Sequence, residues 1–322
     1  MLTALLSLSG ALVYGAADFL GGLAAKRLSA ILVSAIAAVS GLVVMLVALP
    51  LLGGTWATAD LAWGALSGVV GSVAIALLYA SLAIGPMSIL SPLTALMSAV
   101  TPMLWGTLVG AERFGTLGIW GLAVALVAVV LVGFVPERGA VRPSAKGLAL
   151  AVGSGLAIGA YYIVISHTSD ESGVAPLVAN RVVSAALLFT AVAVLALVSR
   201  ARARSGAALP AAVAIATTGP ATDGASPEAA GDGSAPDPAS RRAFLRAGVA
   251  LALAGGVLDS MANTLLLLGI RAGDLAVAAV LGAIYPAGTI LLAAIVLRER
   301  IAPVQWAGLA LALVAAGMLA LA

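Results

Sequence analysis

Apolar positions along this chain come in long unbroken runs rather than in alternation. Between breakers such as Gly53-Gly54, Glu112-Arg113 and Arg271-Ala272-Gly273, the runs cover 2–25, 29–52, 60–83, 88–110, 115–135, 146–167, 175–198, 243–269, 275–297 and 302–321. Most are close to 20 residues, and a helix of that length rises about 30 Å, the thickness of a bilayer's hydrocarbon core. Backbone groups inside lipid must be hydrogen-bonded within the chain, which leaves helices or closed barrels. Barrel strands alternate in polarity over about 10 residues, and these runs do not. The pattern predicts an all-α membrane protein of ten transmembrane helices. Lys26 and Arg27 follow the first run and no basic residue precedes it, so that run reads as a retained helix rather than a cleaved signal.

The stretch from about 200 to 242 breaks the pattern. It is rich in Ala, Gly, Pro, Ser and Asp, as in Gly231-Asp232-Gly233-Ser234-Ala235-Pro236. Such a composition buries too little apolar surface to offset its ordering entropy, and it reads as a disordered linker.

The runs also repeat. A shift of 187 (299 less 112) lays Glu112-Arg113 on Glu299-Arg300, Gly121-Leu122-Ala123 on Gly308-Leu309-Ala310, and Ala125-Leu126-Val127-Ala128 on Ala312-Leu313-Val314-Ala315. A shift of 144 (159 less 15) pairs Leu12, Gly15 and Ala16 with Leu156, Gly159 and Ala160. These matches divide the chain into a first five-helix repeat, 1–137, and a second, 138–322, which the linker interrupts. An odd number of helices per repeat inverts the second copy in the membrane, a recurring plan of secondary transporters.

Composition sharpens the picture. Hydrophobic residues make up 62% and charged residues 9% of the 322, against about 25% charged in a typical soluble domain, so lipid is the natural solvent and the bilayer the first partner. With no cysteine, disulfides and thiolate metal sites are excluded. Loops one, three, five, seven and nine carry Lys26, Arg27, Arg138, Arg142, Lys146, Arg200, Arg202, Arg204, Arg241, Arg242, Arg246, Arg298 and Arg300, whereas the opposite loops carry only Arg113 and Arg271. That asymmetry places the basic loops in the cytosol and both termini outside, and it explains the net charge of +3 without nucleic acid as a partner. Localisation in the plasma (inner) membrane is the expectation, and a homodimer is compatible with it.

The residues Tyr14-Gly15-Ala16-Ala17-Asp18-Phe19-Leu20-Gly21-Gly22, Ser91-Pro92-Leu93-Thr94-Ala95-Leu96, and Tyr285-Pro286 followed by Glu299-Arg300 and Gln305-Trp306-Ala307-Gly308-Leu309 resemble the EamA-like family of the drug/metabolite transporter superfamily. The resemblance covers all but the linker. It implies ten helices in two inverted repeats and secondary transport, often export, of amino acids, metabolites or drugs. It also implies a cavity lined largely by the first, third, fourth, sixth, eighth and ninth helices. Relatives in the superfamily keep their termini in the cytosol, so the two readings of orientation stand opposed.

Ionised side chains in the middle of a membrane helix cost roughly 2.5–3.5 kcal/mol each on insertion scales, and mark function by default. Three qualify: Asp18, Arg181 and Asp259. Gly255, Asp259 and Asn263 recur every fourth residue and make one polar stripe on the eighth helix. Asp259 there either exchanges protons with a substrate or pairs with Arg181. Asp18 shares a face with Ala11, Gly15 and Gly22, which suits either a cavity or close helix packing. Arg181 either snorkels to the interface or holds an anionic group or an Asp. Ser91, Thr94, Ser98, Thr101 and Trp105 line one face of the fourth helix, as a cavity wall or as hydroxyls bonded to their own backbone. Tyr14, Tyr79 and Tyr162 either offer stacking faces to an apolar or aromatic solute or anchor at the membrane interface, and Tyr285-Pro286 is the region of the ninth helix that corresponds to the proline-kinked fourth. Glu112-Arg113 and Glu299-Arg300 read as local structural pairs, and His167 as a polar loop residue.

No G-x-x-x-x-G-K-[ST], H-E-x-x-H or G-x-S-x-G stretch occurs, so neither direct ATP coupling nor an enzyme is expected, and no cofactor is called for. Export of a small-molecule substrate by proton exchange is the first expectation and uptake of a nutrient or amino acid the second. A passive scaffold or receptor is the alternative from another class. Asp259→Asn is expected to abolish transport while leaving folded protein.

Overall fold

The computed structural model describes residues 1–82, 87–133, 144–205, 238–298 and 301–322. Among these residues it is helical throughout, with turns and no strand. The helices are α1 (Leu2–Ala25), α2 (Ala30–Leu52), α3 (Thr58–Leu82), α4 (Met87–Leu108), α5 (Thr116–Gly133), α6 (Ala145–Ser166), α7 (Ala175–Ser205), α8 (Pro238–Arg271), α9 (Leu275–Gly282), α10 (Pro286–Val296) and α11 (Pro303–Leu321). A short 3₁₀ turn, Asp170–Ser172, precedes α7. Nine spans among the described residues are long and apolar enough to cross a bilayer, α9 and α10 together counting as one. At 22 residues, α4 also has the length.

Two boundaries depart from the pattern of apolar runs. The ninth run is two helices, because Pro286 lacks a donor and its ring excludes a straight helix through the preceding turn. Between them the chain tightens into i→i−3 bonds, Ile284 N to Leu281 O and Tyr285 N to Gly282 O, both at 3.2 Å. The expected linker is also helical at both ends. Thus α7 continues to Ser205 and α8 begins at Pro238, since the Ala and Arg that flank the linker are strong helix formers. With 34 residues, α8 is about 51 Å long and outruns the hydrocarbon. Arg27 lies over the Phe244 ring at 5.3 Å and ties this overhang to the end of α1. The rest of the expected linker, and Glu299-Arg300, lie outside the described residues.

Packing follows a paired scheme. α1 packs on α8 as α6 packs on α3; α2 packs on α8 as α7 packs on α3; and α4 packs on α6 as α9 and α10 pack on α1. α5 and α11 pack on each other, and so do α2 and α7. The contacts rest on small residues. A Cβ on Gly15 would stand 2.5 Å from Gly288 Cα and Thr289 N, and one on Gly159 2.5 Å from Thr101 Cβ and 2.9 Å from Pro102 Cδ. The core beneath α5 and α11 is likewise built from Ala125, Ala128, Val129, Ala312 and Ala315, closed by Val280 and Leu281 of α9.

One face, the one that bears both termini, is fastened by polar contacts. Arg271 at the end of α8 donates to Gly173 O (2.8 Å), Thr168 Oγ1 (3.0 Å) and Ser172 Oγ (2.9 Å), all between α6 and α7. Asp170 Oδ1 stands 3.6 Å from its Nε. Asp60, in the first turn of α3, accepts from the Ser169 N–H and hydroxyl at 2.8 and 2.7 Å. The neighbouring turns dock through glycine: Gly54 (φ 145°) and Gly173 (φ 51°) have backbone angles that side chains avoid, and the chains pair through Thr55 N to Glu171 O at 2.8 Å. Glu112 does not pair with its neighbour Arg113 as expected. Its carboxylate crosses to the other half of the chain and accepts from Leu275 N (2.7 Å) and Ala276 N (3.2 Å), capping α9. Burial raises the Glu112 pKa above its usual value despite the two donors.

Candidate functional site

The three mid-helix charges converge within the bundle. Arg181 Nη2 and Asp259 Oδ2 form an ion pair between α7 and α8, their side chains 12% and 28% exposed. One turn along α8, Asn263 donates from Nδ2 to Asp259 O at 2.7 Å, and its Oδ1 accepts from Tyr161 Oη. Tyr161 meets Tyr162 edge-on, with ring centroids 5.5 Å apart. The Gly255, Asp259, Asn263 stripe thus presents a charge and an amide at successive turns, each fixed by a partner on another helix. Tyr14 on α1 lies within electrostatic reach of Asp259, Arg181 and Tyr161.

Asp18 stands one turn from Tyr14 on the same face of α1. Its side chain is exposed although the helix is enclosed by α8, α9 and α10, and it lies within electrostatic reach of Asp259, Tyr162 and Tyr285. A Cβ added at Gly21 or Gly22, the next turn on, meets nothing within 4 Å. The face of α1 below Asp18 therefore fronts open space. Tyr285 sits at the break between α9 and α10, partly exposed, and Tyr162 is buried.

The fourth-helix row does not join this cluster. Thr94 and Ser98 are sealed at 0% and 1% exposure. Thr94 Oγ1 donates to Leu90 O (3.0 Å) and Ala151 O (3.1 Å), Ser98 to Ala95 O (2.8 Å), and Thr101 to Met97 O (2.7 Å). Their helix face is taken up by α6, whose Gly155 and Gly159 bring the two backbones together. Trp105 lies instead at the fastened face, 6.4 Å from the His167 ring, which also stacks on Trp63 at 4.8 Å. The side chains of Tyr79 and Ser91 lie outside the described residues. A groove of about 250 Å³ between α2 and α7, lined by Leu32, Val192 and Leu195 among others, contains none of the charged side chains.

Tyr161 is the functional candidate that the sequence reading missed. It adjoins Tyr162, but nothing in an apolar helix signals which of two adjacent rings faces the polar stripe on α8. Among the described residues no three metal-ligating side chains cluster.

This is polar chemistry held inside a lipid-facing bundle. Residues 233–321 match the model of the EamA-like transporter family. The EamA-like match spans the last four helices, including the Asp259 stripe and the broken ninth span, and the family is one of membrane transporters in the drug/metabolite transporter superfamily. The whole architecture recurs in a solved crystal structure, described only as that of a protein. That structure has a TM-score of 0.62 at 15% identity over 99% of this chain and 96% of its own, a likeness of fold alone. No curated protein matches the sequence.

Proposed function

We propose that the protein is a secondary active transporter of the plasma (inner) membrane that exports a small metabolite or drug by proton exchange and alternating access. The observation that carries this reading is the Arg181–Asp259 pair with its Asn263–Tyr161 extension. Four polar groups held between three helices are expensive inside a bilayer unless they serve a solute or an ion. The broken span at Tyr285-Pro286 supports it further, because discontinuous helices at the midplane are a common substrate-binding device.

Two inverted repeats, 1–137 and 138–322, would supply the moving halves. The shift of 144 that relates Gly15 to Gly159 and the shift of 187 that relates Thr101-Pro102 to Gly288-Thr289 come from different parts of the sequence. Gly15 abuts Gly288 and Thr289, and Gly159 abuts Thr101 and Pro102. Each contact is the image of the other, which supports duplication with inversion. The site at the repeat interface comprises Asp259, Asn263, Arg181, Asp18, Tyr14, Tyr161, Tyr162 and Tyr285.

Solute efflux from proteoliposomes, with and without an imposed proton gradient, tests the reading. Gradient-dependent efflux that is lost on replacing both Arg181 and Asp259 with Leu is the expected result. Equal flux by the double variant would refute the site, and flux indifferent to the gradient would refute proton exchange.

A further inference from the structure

Resting on that reading, we infer that the hollow binds an organic monocation with an apolar or aromatic body, with Asp18 as its counter-charge and Tyr14 and Tyr285 as its walls. Charge balance is the first ground. Of the three charges in the cluster, Arg181 and Asp259 neutralise each other in a direct ion pair. Asp18 has no ion pair or hydrogen bond among the described residues, and its side chain is exposed in a helix that three others enclose. Whenever Asp18 is ionised the cluster carries one negative charge in excess, on the group that fronts open space at Gly21 and Gly22, and a bound cation favours that ionised form.

Solute chemistry follows from that excess. A carboxylate surrounded by lipid-embedded helices gains most from a ligand that brings the opposite charge. An anion in the same hollow is repelled by ionised Asp18, and the carboxylate partner of Arg181 is already seated. A neutral solute leaves Asp18 uncompensated. The rings nearby point the same way: Tyr14 stands one turn from Asp18 on its own helix face, and Tyr285 lies within its electrostatic reach at the helix break. Aromatic faces attract cations and bury apolar surface at once. Both pairings are realised only by a solute that carries its charge on an apolar body.

The probes are benzyltrimethylammonium, neutral benzamide and benzenesulfonate, each titrated onto the full chain in lipid nanodiscs by calorimetry. The expected order has the ammonium compound binding about tenfold more tightly than either of the others. Asp18→Asn removes that preference, Asp18→Glu keeps it, and Tyr285→Leu weakens ammonium binding several-fold. Monodispersity in detergent shows that each variant is folded. Undiminished ammonium affinity in folded Asp18→Asn, or a preference for benzenesulfonate, overturns the inference. The transport reading fails separately. Gradient-driven flux of benzamide or benzenesulfonate that Asp18→Asn leaves intact would keep transport and overturn the cation. Tight, Asp18-dependent ammonium binding with no flux of the three probes would keep the cation site and count against transport.

Discussion

Arg271 and Arg181 both reach in between helices, and their partners differ. Arg271 donates to three oxygens of the α6–α7 turn and stands beside Asp170. Arg181 has a single carboxylate, Asp259, with Tyr14 and Tyr161 within electrostatic reach. An arginine whose donors are shared among several backbone and hydroxyl oxygens has little freedom to release any of them. One that depends on a single ion pair is freed in one step when a proton neutralises its carboxylate. The fastened face and the charged hollow are thus separable in energy as well as in place, one serving the fold and the other the proposed transport.

The comparison can be broken experimentally. Asp259→Asn strands the Arg181 guanidinium; loss of one partner costs about 3–5 kcal/mol in a fully buried pair, and this part-buried pair should lose up to that much. Thermal unfolding in detergent should show that loss, and the swap Arg181→Asp with Asp259→Arg should recover most of it. The ion pair thus changes the expectation for Asp259→Asn, which loses stability together with flux. Arg271→Met removes charge-assisted hydrogen bonds worth about 1.5–3 kcal/mol, and should lower stability while the probe-binding order in nanodiscs stays the same; a changed order would merge the two regions. Gly15→Ala forces a methyl against α10 and should cost about 1–3 kcal/mol. Gly21→Ala, facing open space, should stay within about 0.5 kcal/mol of the parent. Tyr161→Phe loses one hydrogen bond to Asn263 and should cost about 1 kcal/mol, a shift that calorimetric unfolding can resolve.

Much of this arrangement was legible in the sequence because lipid leaves few solutions. Apolar runs of bilayer length dictate helices, and Asp18, Arg181 and Asp259 stood out because charge is rare there. The pairing of Arg181 with Asp259 was one of two readings, and periodicity along single helices could not choose between them. The hydroxyls of Thr94, Ser98 and Thr101 formed a true row, yet a hydroxyl can satisfy a carbonyl of its own helix, so a row does not distinguish a packed face from a wet one. Arg271 read as a loop charge, since its acceptors lie about a hundred residues earlier, in Thr168-Ser169-Asp170-Glu171-Ser172-Gly173. That polar hexapeptide was the available signal. Glu112 escaped for the same reason: its partners, the free N–H groups of α9, exist only once the halves are packed.

The absence of native cysteine makes one measurement direct. A single cysteine at Gly22, on the open face of α1, is compared in proteoliposomes with one at Val47, an exposed position on α2, using a charged, water-soluble thiol reagent. Modification at Gly22→Cys, slowed by benzyltrimethylammonium, with none at Val47→Cys, is the outcome expected of a water-filled hollow beside Asp18. Equal inertness at both positions, with reaction only to a lipid-soluble reagent, would place Asp18's face against acyl chains and contradict the account.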